Sequence, residues 1–441
     1  MRASPVRRFA FVLSAALACF LAVGLFIVPA RYVGVRMGMV PTTQVTSADV
    51  QIPTQHADGS VTAEYCSEAV TTNGLENLSG RTSTAISLDN AWFSHDSRIY
   101  QHDLATACAV LAAVCNSESQ YYSNVQGSLP YAEQTLGALG FDDVRTESYA
   151  LRSSLLDELG ALLSGTHDVA AYTFASKTIP RTASAPSTTL VFVGIRGSYG
   201  VEWLSNFNLS DAEGAADHQG FRAAEDEIQR ALTQYASTIG ADPQHTRILI
   251  TGHSRGGAIA NLLAARLDNL SDTDNQMAPA SGIYAYTFAA PGATRAADQH
   301  NVTYGNIFNI VNESDIIPQL PLSIWGYGKY GTTVTLPSVS SNGFDGHYDA
   351  MCEAFQQNTG IAPHISEDAL ATLDAFGERA AREVPSTEAF ANPLGIFSFA
   401  RALFGVDLSA ALISHYPDTY IAWMQSVPAG HLSFDAPAQA A

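Results

Sequence analysis

Apolar positions along this chain fall into two repeating patterns that alternate from residue 98 onward. In "RIYQHDLATACAVLAAVCN" (98–116), Tyr100, Leu104, Ala107, Leu111 and Val114 recur at helical spacing. "LPYAEQTLGALGF" (129–141) predicts a second helix, stopped at Gly140. "DVAAYTFASKTI" (168–179) and "TLVFVGIRGS" (189–198) are short apolar runs of strand length. The amphipathic "FRAAEDEIQRALTQYAST" (221–238) predicts a helix, and "TRILITG" (246–252) a strand. "GIYAYTFAAPGA" (282–293) and "GNIFNIVNESDIIP" (305–318) predict two further core strands, the last running into a loop. Strands that alternate with helices predict an α/β chain with a mostly parallel central sheet and helices on both faces.

Outside this stretch the patterns weaken. Residues 31–97 are rich in Thr, Ser, Gln and Asn and predict an irregular extension or tether. Between about 337 and 413 the sequence predicts an extra helical insertion, with "GHYDAMCEAFQQ" and "EDALATLDAFGERAAREV" as helices. Its end, "PLGIFSFARALFGVDLSAALIS" (393–414), is very apolar but broken by Gly395 and Gly405. It predicts either a lid or lipid-facing surface, or an ordinary core helix. Residues 98–425 form the main domain, and 426–441 a C-terminal tail.

The N-terminus changes the setting. "MRASPVRR" carries three arginines and no acid, and residues 9–28 are uncharged and almost wholly apolar. A basic segment before a hydrophobic one, with compact residues ending at Ala30, predicts that residues 1–30 are a signal peptide or an uncleaved membrane anchor. Either places the rest outside the cytoplasm, secreted or anchored. Cys19 follows "ALA", but the apolar run continues past it, which argues against lipidation there.

Composition narrows the partners. With 42 acidic against 22 basic residues the net charge is −20, which argues against a nucleic-acid partner, since that would need a basic face. Past residue 30 four cysteines remain: Cys66, Cys108, Cys115 and Cys352. An exported chain allows two disulfides, with buried free thiols as the alternative. Cys108 and Cys115 sit about 10 Å apart along a helix, too far to bridge one another.

Chemistry concentrates in "RILITGHSRGGAIANLLAARL" (247–267). Ser254 lies between Gly252 and Gly256, after an apolar strand and before an alanine-rich helix. A G-x-S-x-G turn in that context lifts the hydroxyl above the sheet as a nucleophile, and the glycines avoid collisions in the tight backbone. A serine needs a base, and the base a carboxylate. The chain order that accompanies such an elbow is Ser, acid, His. Asp315 in "NIVNESDIIPQLP" follows an apolar run, at a strand's C-terminal end, with Glu313 as its rival. His415 in "SHYPDTYIAWM" precedes an aromatic segment that would hold its ring, and His347 in "GHYDAM" is the alternative base. His364 and His431 lie in a polar loop and a tail, poor places to fix geometry. His253 adjoins the nucleophile and cannot swing back onto it. The oxyanion donors would be the amides of Arg255 and Ser198, the second from the loop allowed by Gly194 and Gly197. No metal or organic cofactor is required.

"GIRGS…EW" (194–203), "HQGF" (218–221), "GHSRGG" (252–257), "NESDIIPQLP" (312–321) and "SHYPDTY" (414–420) together resemble the class 3, fungal-lipase-like lipases, above all exported bacterial members. The resemblance covers about residues 98–425. It implies an α/β-hydrolase fold and a carboxylic-ester hydrolase with Ser254 as nucleophile, Asp315 as acid, His415 as base and Ser198 as an oxyanion donor. The partner would be a lipid or other acyl ester, at a membrane or lipid interface. Two departures stand out: Arg255 follows the serine where many members have leucine, and the stretch from Asp315 to His415 is long. A phospholipase or acyltransferase would use the same triad, and an inactive anchored binding protein could retain the elbow.

Overall fold

The structure, a computed structural model, describes residues 49–53, 55–73, 79–147, 149, 170–181, 186–197, 216–363, 365–390 and 392–435. The expected signal peptide or anchor, with its cleavage site at Ala30, falls outside the described residues.

The centre is an eight-stranded sheet. In spatial order it runs β10 (Ser433–Asp435), β9 (Thr332–Thr335), β8 (Ile307–Val311), β7 (Ile283–Phe288), β6 (Thr246–His253), β5 (Thr188–Ile195), β4 (Tyr172–Ile179) and β3 (Asp142–Glu147). The five strands from β5 to β9 pair in parallel, while β3, β4 and β10 are antiparallel additions at the edges. The sheet is therefore mostly parallel, and its helices lie on both faces.

Strand alternation assigns each face. On β5, Leu190 and Phe192 point into one apolar cluster, and Val191, Val193 and Ile195 into the other. Leu249 and its neighbours Ile248 and Ile250 divide in the same way on β6. The first cluster is covered by α2 (His102–Tyr122), α6 (Phe344–Thr359) and α12 (Pro417–Ser426), the second by α4 (Gln219–Thr238) and α5 (Arg255–Leu270). With both faces covered, the central strands carry near-continuous apolar runs.

Two sequence expectations need correction. The extension 31–97 is not irregular throughout. Val61–Cys66 (β1) and Arg81–Ile86 (β2) form an antiparallel pair, joined by a segment containing α1 (Glu68–Asn73). The inward residues Val61, Ala63 and Tyr65 join the core beside α2 and α3 (Tyr131–Ala138). The C-terminal segment is not all tail either, because Ser433–Asp435 pairs with β9. All four described cysteines are free thiols, three of them buried.

Between β9 and α12 the chain builds the helical segment. After α6 come α7 (Glu367–Asp374), α8 (Phe376–Glu383), α9 (Thr387–Phe390), α10 (Pro393–Leu403) and α11 (Leu408–His415). Leu373, Phe376, Ala380 and Val384 form a third apolar cluster with Ile316, Ile317 and Leu320 from the loop after β8. Among the described residues no single helix is long and apolar enough to cross a membrane.

Candidate active site

Strand β6 drives its last residues to the C-terminal edge of the sheet, and the chain reverses into α5 within one residue. That residue is Ser254, at φ 56° and ψ −127°. A non-glycine residue there carries strain of about 1–3 kcal/mol, held by its surroundings. Its N–H donates to the carbonyl of Phe288, at the end of β7, at 2.8 Å. A Cβ on Gly252 would lie 2.5 Å from the backbone of Gly256, and one on Gly256 would lie 2.3 Å from the carbonyl oxygen of Ile195. The two glycines allow the turn to close against β5.

The acid arrives from β8. Beyond Val311 the chain folds back on itself, with Asp315 N–H donating to the Asn312 carbonyl at 3.0 Å. The Asp315 side chain is fully buried, yet each oxygen is satisfied. Oδ1 accepts the Ile317 N–H at 2.9 Å, and Oδ2 accepts the Tyr420 hydroxyl at 2.8 Å. A buried carboxylate left without such donors is costly.

The imidazole arrives from the end of α11. His415 Nδ1 lies 2.7 Å from Asp315 Oδ2, and its Nε2 lies 3.0 Å from Ser254 Oγ. The carboxylate fixes the tautomer: Nδ1–H donates to Asp315, which leaves Nε2 to accept the serine proton. Asn312 joins the two partners, because its Nδ2 donates to the Ser414 carbonyl at 3.1 Å. Tyr420, one turn into α12, also accepts the Asn312 N–H at 3.2 Å.

His253 packs against this relay with its ring centroid 4.9 Å from that of His415. Burial pushes its imidazole well below the usual range, and the neighbouring His415 adds to this, so it stays neutral. On the other side of the acid, half-buried Lys329 donates to the Pro318 carbonyl at 3.3 Å. Burial lowers its ammonium to about 8, opposed by the charge of Asp315.

The amide of Arg255, first residue of α5, stands next to Ser254. Ser198 lies outside the described residues, but the chain leading to it is anchored. Gly197 N–H donates to Asn116 Oδ1 on α2 at 2.8 Å, and Arg196 donates to Ser119 Oγ at 2.8 Å.

Ser254, Asp315 and His415 thus meet, while the rival positions do not join them. His347 sits on α6 with its Nε2 3.1 Å from His431 Nδ1, at the surface beside the C-terminal segment. The reason is the path of α6, which runs along the outer side of α12 and turns the His347 ring toward His431. Glu313 is exposed, and His364 lies outside the described residues. Tyr420, Asn312, Asn116 and Lys329 were not singled out from sequence. Tyr420 and Asn312 left a trace there, in the "SHYPDTY" and "NESDIIPQLP" motifs. Among the described residues no group of three His, Cys, Asp or Glu side chains is placed to hold a metal.

Residues 192–325 match the model of the family described as Lipase (class 3). The secreted mono- and diacylglycerol lipase A of Penicillium cyclopium is 28% identical over 167 residues, 35% of this chain and 52% of that protein. The lipase of Rhizomucor miehei is 27% identical over 155 residues, covering 33% of this chain and 41% of its own. This chain therefore spans about half the length of the curated relatives it matches. The solved lipase of Rhizopus microsporus var. chinensis aligns over 66% of this chain and 84% of its own, at 16% identity and a TM-score of 0.35.

Proposed function

We propose that this chain, which belongs to the class 3 lipase family, is an exported serine hydrolase that cleaves acyl esters through an acyl-enzyme. The observation that carries this reading is the unbroken relay from Ser254 Oγ through His415 to the buried carboxylate of Asp315. His415 takes the hydroxyl proton as Ser254 attacks the ester carbonyl. The negative charge that develops on the carbonyl oxygen is met by the Arg255 amide, with Ser198 as the second donor. Collapse of the tetrahedral intermediate expels the alcohol, which takes the proton from His415. Water then repeats the sequence on the acyl-enzyme and releases the acid. Asp315 stabilises the imidazolium in both halves.

Relatives described as mono- and diacylglycerol lipases support glycerol esters of fatty acids as the substrate class. The helical segment supports a lipid-facing role too. Leu394, Phe397 and Phe404, on and just after α10, are 79%, 66% and 77% exposed on a helix that precedes the one bearing His415. The word "secreted" in the relatives' descriptions and the apolar run at residues 9–28 support export, and the same run supports a membrane tether.

A fluorophosphonate probe should label the wild-type protein and not the Ser254→Ala variant. Only the former should hydrolyse a medium-chain p-nitrophenyl ester and monoacylglycerol. Equal turnover by both proteins would end this reading. Release of fatty acid from phospholipid but not from glycerides would move the substrate to the phospholipase class.

A further inference from the structure

The loop that carries Asp315 is tied to the helical segment by one side chain that the triad does not use. Gln319 Nε2 donates to the carbonyls of Glu313 at 2.7 Å and Leu373 at 3.0 Å, and lies 3.3 Å from the carbonyl of Asp315 itself. Its Oε1 accepts the N–H of Gly377 at 2.6 Å. One carboxamide thus spans the acid's own backbone and the junction between α7 and α8. Gly377 leaves the room for it, since a Cβ there would lie 2.9 Å from Oε1.

A second polar contact reinforces the first. Ser314 Oγ donates to Asp374 Oδ1 at 2.5 Å, and Asp374 Oδ2 accepts the Val339 N–H at 3.4 Å. Between the two contacts, Ile316, Ile317 and Leu320 pack into the apolar cluster of Leu373, Phe376 and Ala380. Residues on either side of Asp315 are therefore held by α7 and α8, not only by the strand that delivers them.

We propose that Gln319 is a positioning residue for Asp315, acting through the α7–α8 junction to hold the carboxylate in line with His415. This deepens the hydrolase reading and rests on it. The consequence is that the long stretch between acid and base is part of the device that aligns them. None of the carboxamide's contacts touches Ser254; the nearest of them to the relay is the backbone of Asp315 itself.

The test uses Gln319→Met, which keeps the volume and loses all four polar contacts. Beside it stands Gln319→Glu, which keeps the shape and loses the donors. Each is compared with wild type for thermal midpoint, kcat and KM on a medium-chain p-nitrophenyl ester, and rate of fluorophosphonate labelling. Misplacement of a catalytic group by about 1 Å costs up to about 100-fold. The expected result is a fall in kcat and labelling rate of roughly 10- to 100-fold in both variants, with KM within about twofold and the fold retained. If either variant fails to fold, Asp374→Ala, which breaks only the second contact, must show the same split. Folded variants with wild-type kcat, or a loss carried wholly by KM, would overturn the proposal. A wild-type protein that neither turns over ester nor takes the probe would instead overturn the hydrolase reading beneath it.

Discussion

Gly256→Ala puts one methyl group at the tightest point of the elbow. The new Cβ would stand 2.3 Å from the Ile195 carbonyl oxygen and 2.7 and 2.8 Å from the carbonyl carbon and oxygen of Arg196. Ordinary contact begins near 3.4 Å, so the end of β5 must retreat by about 1 Å. All three neighbours are backbone atoms, so no side-chain rotation relieves the clash. Overpacking typically costs 1–3 kcal/mol, and this case belongs near the upper end, at about 3 kcal/mol. The displaced residues lead directly into Gly197 and the expected oxyanion loop. A shift of about 1 Å there should lower kcat/KM by roughly 100-fold. Urea unfolding followed by fluorescence, with hydrolysis of a p-nitrophenyl ester on the same preparation, measures both effects. Gly346→Ala is the control, because nothing lies within 4 Å of its added Cβ on the exposed side of α6. It should raise stability by about 0.4–1 kcal/mol and leave turnover alone. If Gly256→Ala unfolds at the wild-type urea concentration and keeps kcat/KM within twofold, the elbow is not jammed against β5.

Other outcomes follow from the same geometry. His415→Ala should remove at least about 1,000-fold of kcat, whereas His347→Ala, which loses only its contact with His431, should stay within about twofold; the reverse ranking would reassign the base. Asn116→Ala removes the acceptor for the Gly197 N–H and should lower kcat by about tenfold at unchanged KM; steady-state kinetics that show a rise in KM alone would place Asn116 in substrate binding. Glu118 is buried beside Glu133, and desolvation followed by that like charge holds its carboxyl well above the ordinary value of 4.5. The unfolded chain releases this proton first as pH rises, so Glu118 removes stability from about pH 4.5 upward, until the folded form also ionises. Glu118→Gln should therefore flatten part of the fall in urea midpoint between pH 5 and pH 8, and parallel curves for the two proteins would refute the assignment.

The parts of this molecule that show in its sequence are those whose causes are local. The elbow is readable because a strand, two glycines and a serine lie within a dozen residues, and the backbone they build demands that spacing. The core strands β5 to β8 are readable because burial on both faces makes them continuous apolar runs. The edge strands are not: "DDVRTE" at β3 and "SFD" at β10 face solvent, so no apolar period marks them. The choice between His347 and His415 was open because both sit at helix ends among aromatic residues. Only the packing of α6 outside α12 separates them. Tyr420 and Gln319 act over distances in sequence that no pattern reports, 105 residues from Tyr420 to Asp315 and 58 from Gln319 to Gly377.

Asp315 and His415, which touch at 2.7 Å, stand 100 residues apart in the chain, and His415 and Ser254 161 apart. Such contacts come late in assembly, because the closure entropy of long loops must be met before they form. Recovery of ester turnover after dilution from denaturant should then trail the return of helical signal. The time between the two would measure how long the last hundred residues take to dock.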